Sequence, residues 1–175
     1  ERVVLARAQS RVLARALSAD QDQPPFARST RDGFACRAAE ASSYMFLRVA
    51  GATHAGEAPS GPLPANAAWE IMTGAPVPSG ADAVVMLEHV EKDADMSGAH
   101  MRLLPPRTID AGDNVVARGA QAKKGDVLLP AGSRLGPAQI ALAATCGYAS
   151  LDVYTRPRVA ILTTGDELVP VDWEP

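Results

Sequence analysis

The chain has 175 residues, room for one ordinary domain or two small ones. Its 17 Lys and Arg against 20 Asp and Glu leave a net charge of −3, which excludes a uniform basic field able to hold nucleic acid or an anionic membrane surface. A hydrophobic content of 47% with 21% charged residues excludes disorder over most of the chain, while 14 Gly and 14 Pro predict many turns and short strands. Cys36 and Cys146 form no CxxC or Cys/His grouping, and His54, His89 and His100 have no ligand-like spacing. Buried free thiols, no protein metal cluster and a reducing cytoplasm are therefore expected. No stretch approaches the ~18 apolar residues of a membrane span, so no membrane partner is expected.

From residue 3 to 17 the apolar residues Leu5, Ala8, Val12, Leu13, Ala16 and Leu17 recur at three- and four-residue steps, with Arg7, Arg11 and Arg15 on another stripe. That spacing predicts an amphipathic helix with a solvated arginine face, stopped before Pro24 and Pro25. Between residues 24 and 106, short apolar or β-branched runs at 44–49, 69–73, 83–87 and 100–104 alternate with Gly/Pro/Asp/Ser clusters. This pattern predicts a small β-rich domain, sandwich or barrel. Glycine turns between residues 112 and 133, around the run 126–129, predict short hairpins. Pro137 opens a predicted helix that Gly147 ends, and residues 151–154 read as a strand. Residues 158–162 read as a continuous apolar strand of the kind that has helices on both faces. Too few residues follow to supply them, so the chain is expected to break off just inside a further domain.

Three segments carry candidate chemistry. Around Ser29, Asp32 and Gly33 a hydroxyl, a carboxylate and a turn-forming glycine share one loop. It is either a plain Asp-Gly turn or a rigid platform from which Asp32 meets a cation or a polar substrate. Thr73 and Gly74 open, and Asp82 closes, a loop stiffened by Pro76 and Pro78. Such a loop is either a strand connection or a site that loses little entropy on binding. Thr163, Thr164, Gly165, Asp166 and Glu167 follow the apolar run at 158–162. There the two acids either cap a helix or serve a metal or a proton transfer.

In this order the segments resemble one family, the molybdenum insertases of molybdenum-cofactor biosynthesis: the bacterial MoeA proteins and the gephyrin E domain. The resemblance runs through Leu5-Ala6-Arg7-Ala8, Pro24-Pro25-Phe26, Asp32-Gly33-Phe34-Ala35, Ile71-Met72-Thr73-Gly74-Ala75-Pro76, Gly80-Ala81-Asp82-Ala83-Val84-Val85, Gly125-Asp126-Val127-Leu128-Leu129-Pro130-Ala131-Gly132 and Thr164-Gly165-Asp166-Glu167-Leu168. It covers essentially the whole chain. It implies a mixed α+β, multi-domain protein. An elongated α/β first domain would be split between residues 1–23 and 110–155, with a β-barrel-like domain inserted at 24–109. A molybdopterin-binding α/β domain would begin at 156–175. It also implies a homodimer that inserts molybdate into adenylylated molybdopterin and releases AMP with the help of Mg2+, the isolated chain being inactive. Carried over by position, Asp32, Thr73 and Glu167 are the expected catalytic residues, and Ser29, Gly33, Gly74, Asp82 and Asp166 the expected substrate-binding ones. The chain departs from the family pattern where Val116 replaces an arginine, where Gly119-Ala120-Gln121 replaces Gly-Glu-Asp, and at Arg28 and Arg31. Val116 and Gln121 favour the alternative, a catalytically silent relative acting as a dimeric binding or scaffold protein.

Overall fold

The computed structural model describes residues 1–95 and 98–173. In chain order the strands are β1 (Arg2–Val4), β2 (Leu17–Ser18), β3 (Arg28–Ser29), β4 (Gly33–Cys36), β5 (Leu47–Thr53), β6 (Ala67–Ile71), β7 (Ala83–Met86), β8 (Val90–Asp95), β9 (Gly98–Leu103), β10 (Val115–Val116), β11 (Val127–Leu129) and β12 (Ser150–Asp152). The α-helices are α1 (Ala38–Ala41) and α2 (Pro137–Thr145). The chain divides into two units, Leu17–Leu128 and a discontinuous one of Glu1–Ala16 with Leu129–Pro175.

The first of these is built on one sheet of order β7-β4-β6-β5-β9-β8. Its neighbours run antiparallel except β5 and β6, which run parallel. Among the described residues β7 and β8 end the hydrogen-bonded order, so the strands form a mixed, open half-barrel. Side chains alternate between the two faces, as the period of two in a strand requires. Phe34, Cys36, Ala68, Val85, Met101 and Leu103 pack in one buried cluster. Ala35, Trp69, Ile71, Ala75 and Val84 pack in another. Both faces are therefore covered, which is why β4, β6 and β7 read as nearly unbroken apolar runs. A buried polar contact within this unit joins Trp69 Nε1, which donates, to Thr53 Oγ1 at 2.7 Å. The outer side of β7 is covered by the 110–114 loop, with Val84 N donating to Asp113 O at 3.0 Å and Asn114 Nδ2 to Val84 O at 2.8 Å.

The glycine turns expected between residues 112 and 133 are present, with Gly112, Gly119, Gly125 and Gly132 all at positive φ. The hairpins are not. β10 pairs with β3 and β11 with β2, so these short strands complete segments far away in sequence instead of folding on each other.

The amphipathic helix expected over residues 3–17 is also absent. Arg2, Val3 and Val4 pair antiparallel with Asp152, Leu151 and Ser150, and a single 3-10 turn follows at Leu5–Arg7. Ser10 then takes a left-handed φ of 62°, and Leu13 N and Ala14 N donate to Ser133 O and Asp152 O, both at 2.9 Å. The backbone donors that a helix would satisfy four residues back find partners more than a hundred residues on, and tertiary pairing overrides local periodicity. The apolar spacing still reports burial, since Ala8, Leu13 and Leu17 are all in the core. The arginine stripe does not stay solvated throughout: Arg11 is 9% exposed, pairs with Glu1 and donates to Tyr154 O at 2.7 Å.

The expectation at Pro137 holds: α2 begins there, and Gly147, just beyond its end, has φ 75°. The strand expected at 158–162 does not form. Val159, Ile161 and Leu162 are 79%, 87% and 88% exposed, and no described strand pairs with this segment.

Candidate functional site

The site is assembled around the first residues of β4. Gly33 there stands opposite Ile71 on one side and Met86 on the other. A Cβ at Gly33 would lie 1.9 Å from Val85 O, so only glycine lets β4 and β7 approach this closely. Its structural duty is thus set by backbone sterics. The adjoining Asp32 is exposed, and its carbonyl accepts Leu87 N at 3.0 Å.

Two sequence-distant motifs meet at Asp32. Its Oδ1 accepts both the Thr73 amide and the Thr73 hydroxyl, each at 2.7 Å. The hydroxyl first, and then the amide, hold the Asp32 carboxyl below its ordinary value, because both donate to the ionised form. Thr73 is placed by the loop that follows β6, where Gly74 takes φ 84°, with open space where a Cβ would stand, and donates its N–H to Ser29 O at 2.8 Å. Ser29 N donates in turn to Ala75 O at 3.0 Å, and Val77 N to Ala27 O at 2.9 Å. The Asp32 turn and the Thr73 loop are therefore stitched together along their backbones. An ionised carboxylate beside a hydroxyl, on a turn that cannot relax, is suited to orienting a polar substrate or contributing one oxygen to a divalent cation.

The other expected site residues are placed differently. Ser29 is 2% exposed and its hydroxyl is committed within the turn, donating to Arg31 O at 2.5 Å and accepting Arg31 N at 3.1 Å. Asp82 lies at the far end of β4, roughly 10 Å along the strand from Gly33. Its N–H donates to Cys36 O at 3.0 Å, and its Oδ1 accepts the first amide of α1, Ala38 N, at 2.7 Å. Asp82 is therefore a helix cap apart from the Asp32–Thr73 pair. Burial, reinforced by the Asp82 and Glu40 carboxylates, pushes the neighbouring Cys36 thiol up to about 12. Asp166 and Glu167 belong to the discontinuous unit, where they are exposed in a turn closed by Leu168 N donating to Gly165 O at 3.2 Å.

Among the described residues no three His, Cys, Asp or Glu side chains gather as a metal site. His54 Nδ1 lies 3.0 Å from the Glu57 carboxylate. No helix among the described residues is long and apolar enough to cross a membrane.

Periodicity did not reveal the juxtaposition of Arg28 with Val116, which stand directly opposite each other between β3 and β10. Only an expectation that residues 28–29 and 115–116 pair would have found it.

Comparison with known proteins agrees with the motif order. Residues 1–147 match the family model described as the MoeA N-terminal region, domains I and II. The chain is 43% identical over 179 residues to a molybdopterin molybdenumtransferase of Bacillus subtilis and 36% identical over 167 residues to one of Haemophilus influenzae, covering 98% and 95% of this chain. It spans 40% of the length of each of these relatives. Its fold is similar to the crystal structure of the molybdopterin biosynthesis MoeA protein from Pyrococcus horikosii, with a TM-score of 0.84 and 35% identity over 99% of this chain and 44% of that one.

Proposed function

The chain belongs to the MoeA family, and from that premise we propose that it serves molybdenum-cofactor biosynthesis as the N-terminal part of a molybdopterin molybdenumtransferase. The full protein would take adenylylated molybdopterin and molybdate, form the metal–dithiolene bonds and release AMP. We place it in the cytoplasm as a homodimer. The expected division into residues 1–23 with 110–155, 24–109 and 156–175 belongs to the same proposal. Its support is the discontinuous unit in which Glu1–Ala16 joins the segment starting at Leu129, which bears on the split of the first domain and not on a separate one at 156–175.

The observation that carries this reading is the double hydrogen bond from Thr73 to Asp32, which unites two motifs that are 41 positions apart. Asp32 stays ionised and fixed in direction, and Thr73 supports it while presenting its hydroxyl oxygen to a substrate donor. Gly33 lets β4 lie close against β7 beside Asp32, and Gly74 takes the left-handed turn that follows Thr73. Glu167 and Asp166 keep their catalytic and substrate-binding assignments on family position alone. If Mg2+ takes part, Asp32 is the described residue that would hold it, and the cation would neutralise phosphate charge. Mg2+ accepts few protein ligands and retains water or substrate oxygens, so one carboxylate suffices.

The test is AMP release from adenylylated molybdopterin and molybdate by the full-length protein that carries this chain. Asp32→Ala and Glu167→Ala are expected to lower it about 100-fold without unfolding the protein. Undiminished release in both folded variants overturns the site. No release by the unsubstituted protein favours the silent scaffold, to which Val116 and Gln121 point.

A further inference from the structure

Residues 28–32 bring two guanidiniums and one carboxylate into a single turn that is fixed from three directions. Ala27 and Ser29 bond to the 75–77 loop, Thr30 N donates to Asn114 O at 2.9 Å, and the buried Ser29 hydroxyl holds both the N–H and the C=O of Arg31. Arg28 has Val116 opposite it on β10 and is bridged on its other side to Pro76. Neither neighbour carries a charge that could neutralise it.

The acids bonded in this part of the chain are engaged elsewhere. Asp32 accepts from Thr73, Asp113 accepts Asp110 N at 3.0 Å, and Asp22 accepts Arg118 Nε at 2.6 Å and Lys124 N at 3.0 Å. Arg118, Arg37 and Arg102 each have a carboxylate partner. Among the described residues Arg28 and Arg31 have neither an ion pair nor a side-chain hydrogen bond. Even with Asp32 ionised, the turn carries +2 − 1 = +1, whereas the whole chain carries −3. A rigid backbone bearing two uncompensated guanidiniums suits a tetrahedral oxyanion, because each planar fork can give two parallel N–H···O bonds.

We infer that Arg28 and Arg31 together bind a tetrahedral oxyanion, either the phosphate of the adenylylated substrate or molybdate itself, beside Asp32 and Thr73. Ser29 is the positioning residue that sets the Arg31 peptide. This inference rests on the assignment of Asp32 and Thr73 to the substrate site and names the ligand chemistry that the adjoining turn supplies.

The experiment is calorimetric titration of this chain with molybdate and, separately, with AMP at low ionic strength. At least one is expected to bind. Arg28→Gln and Arg31→Gln should each weaken it several-fold, and the double variant at least tenfold. Arg48→Gln, an exposed arginine on β5, should leave binding unchanged. Arg31→Lys should fall between Arg31 and Arg31→Gln, because it keeps the charge and loses the fork. Ser29→Ala should weaken binding at an unchanged unfolding midpoint, and Ser29→Thr should restore it. Binding of molybdate alone assigns the pair to the metal oxyanion, and binding of AMP alone assigns it to the phosphate. Absence of both, or equal loss in Arg48→Gln, overturns the inference. In the full-length protein, AMP release with unchanged KM in the folded double variant also overturns it and leaves the proposed function intact. Failure of the unsubstituted protein to release AMP overturns that function without touching the titration.

Discussion

The two ends of β4 carry an aspartate each, and the two do different work. At the first end Asp32 receives the amide and hydroxyl of a residue from another loop, next to two arginines whose side chains have no ion pair or hydrogen bond among the described residues. At the other end Asp82 receives Ala38 N and closes the first turn of a four-residue helix. Both follow or precede small residues in turn-like sequence, and the family resemblance puts both in the site, Asp32 as a catalytic and Asp82 as a substrate-binding residue. What separates them is what they receive. A backbone amide at a helix start is a structural donor that any N-cap satisfies. A hydroxyl on an exposed loop stays available to a ligand after it has oriented the carboxylate. A carboxylate that stands on a turn between strands thus becomes a functional candidate only once its donors are known.

Three measurements sharpen or break this contrast, beginning with the largest effect. Gly33→Ala should destabilise the chain by about 3 kcal/mol or more, because a Cβ 1.9 Å from Val85 O forces β4 and β7 apart. Urea unfolding gives the value, and an unchanged midpoint would show that the strands can separate without cost. Asp82→Ala should cost about 1 kcal/mol, the ordinary loss of a helix cap, and leave AMP release by the full-length protein as it was. A fall in AMP release with the fold retained would erase the difference between the two ends.

The smallest effect concerns proton affinity. With its folded-state value depressed by the Thr73 donors, Asp32 adds to stability above its ordinary value of 3.8, and that contribution is lost as the pH falls through the lower folded-state value. Thr73→Val removes the hydroxyl and keeps the amide. The Asp32 titration, followed by carboxyl NMR, should therefore move back up toward 3.8 without reaching it. No movement would mean that the hydroxyl does not hold the carboxylate in solution.

Legibility in the sequence followed the range of the interactions. The strands β6, β7 and β9 stood close to where apolar runs and their glycine and proline boundaries put them, because the sheet is buried on both faces at β6 and β7 and on one face at β9. The helix α2 was legible from Pro137 and Gly147, whose backbone preferences act locally. Residues 3–17 misled because Ala8, Leu13 and Leu17 are buried at spacings that fit a helix, while the amides of Leu13 and Ala14 donate to Ser133 and Asp152 and Leu17 lies in β2, paired with β11. Ser29 misled in another way: its hydroxyl suggested a ligand contact, and it is closed onto the Arg31 peptide.

By itself the sequence determined which residue types were on offer: a carboxylate beside glycine, a threonine before a proline-stiffened loop, and an ordered set of motifs that marks the MoeA family. Tertiary structure alone decided that Thr73 reaches Asp32, that Asp82 does not stand with them, and that Arg28 faces Val116 instead of an acid. The physical reason is that residue chemistry and turn preference belong to a few neighbouring positions. A hydrogen-bond donor, an ion-pair partner or a strand register is supplied by whichever distant segment the folded core brings alongside.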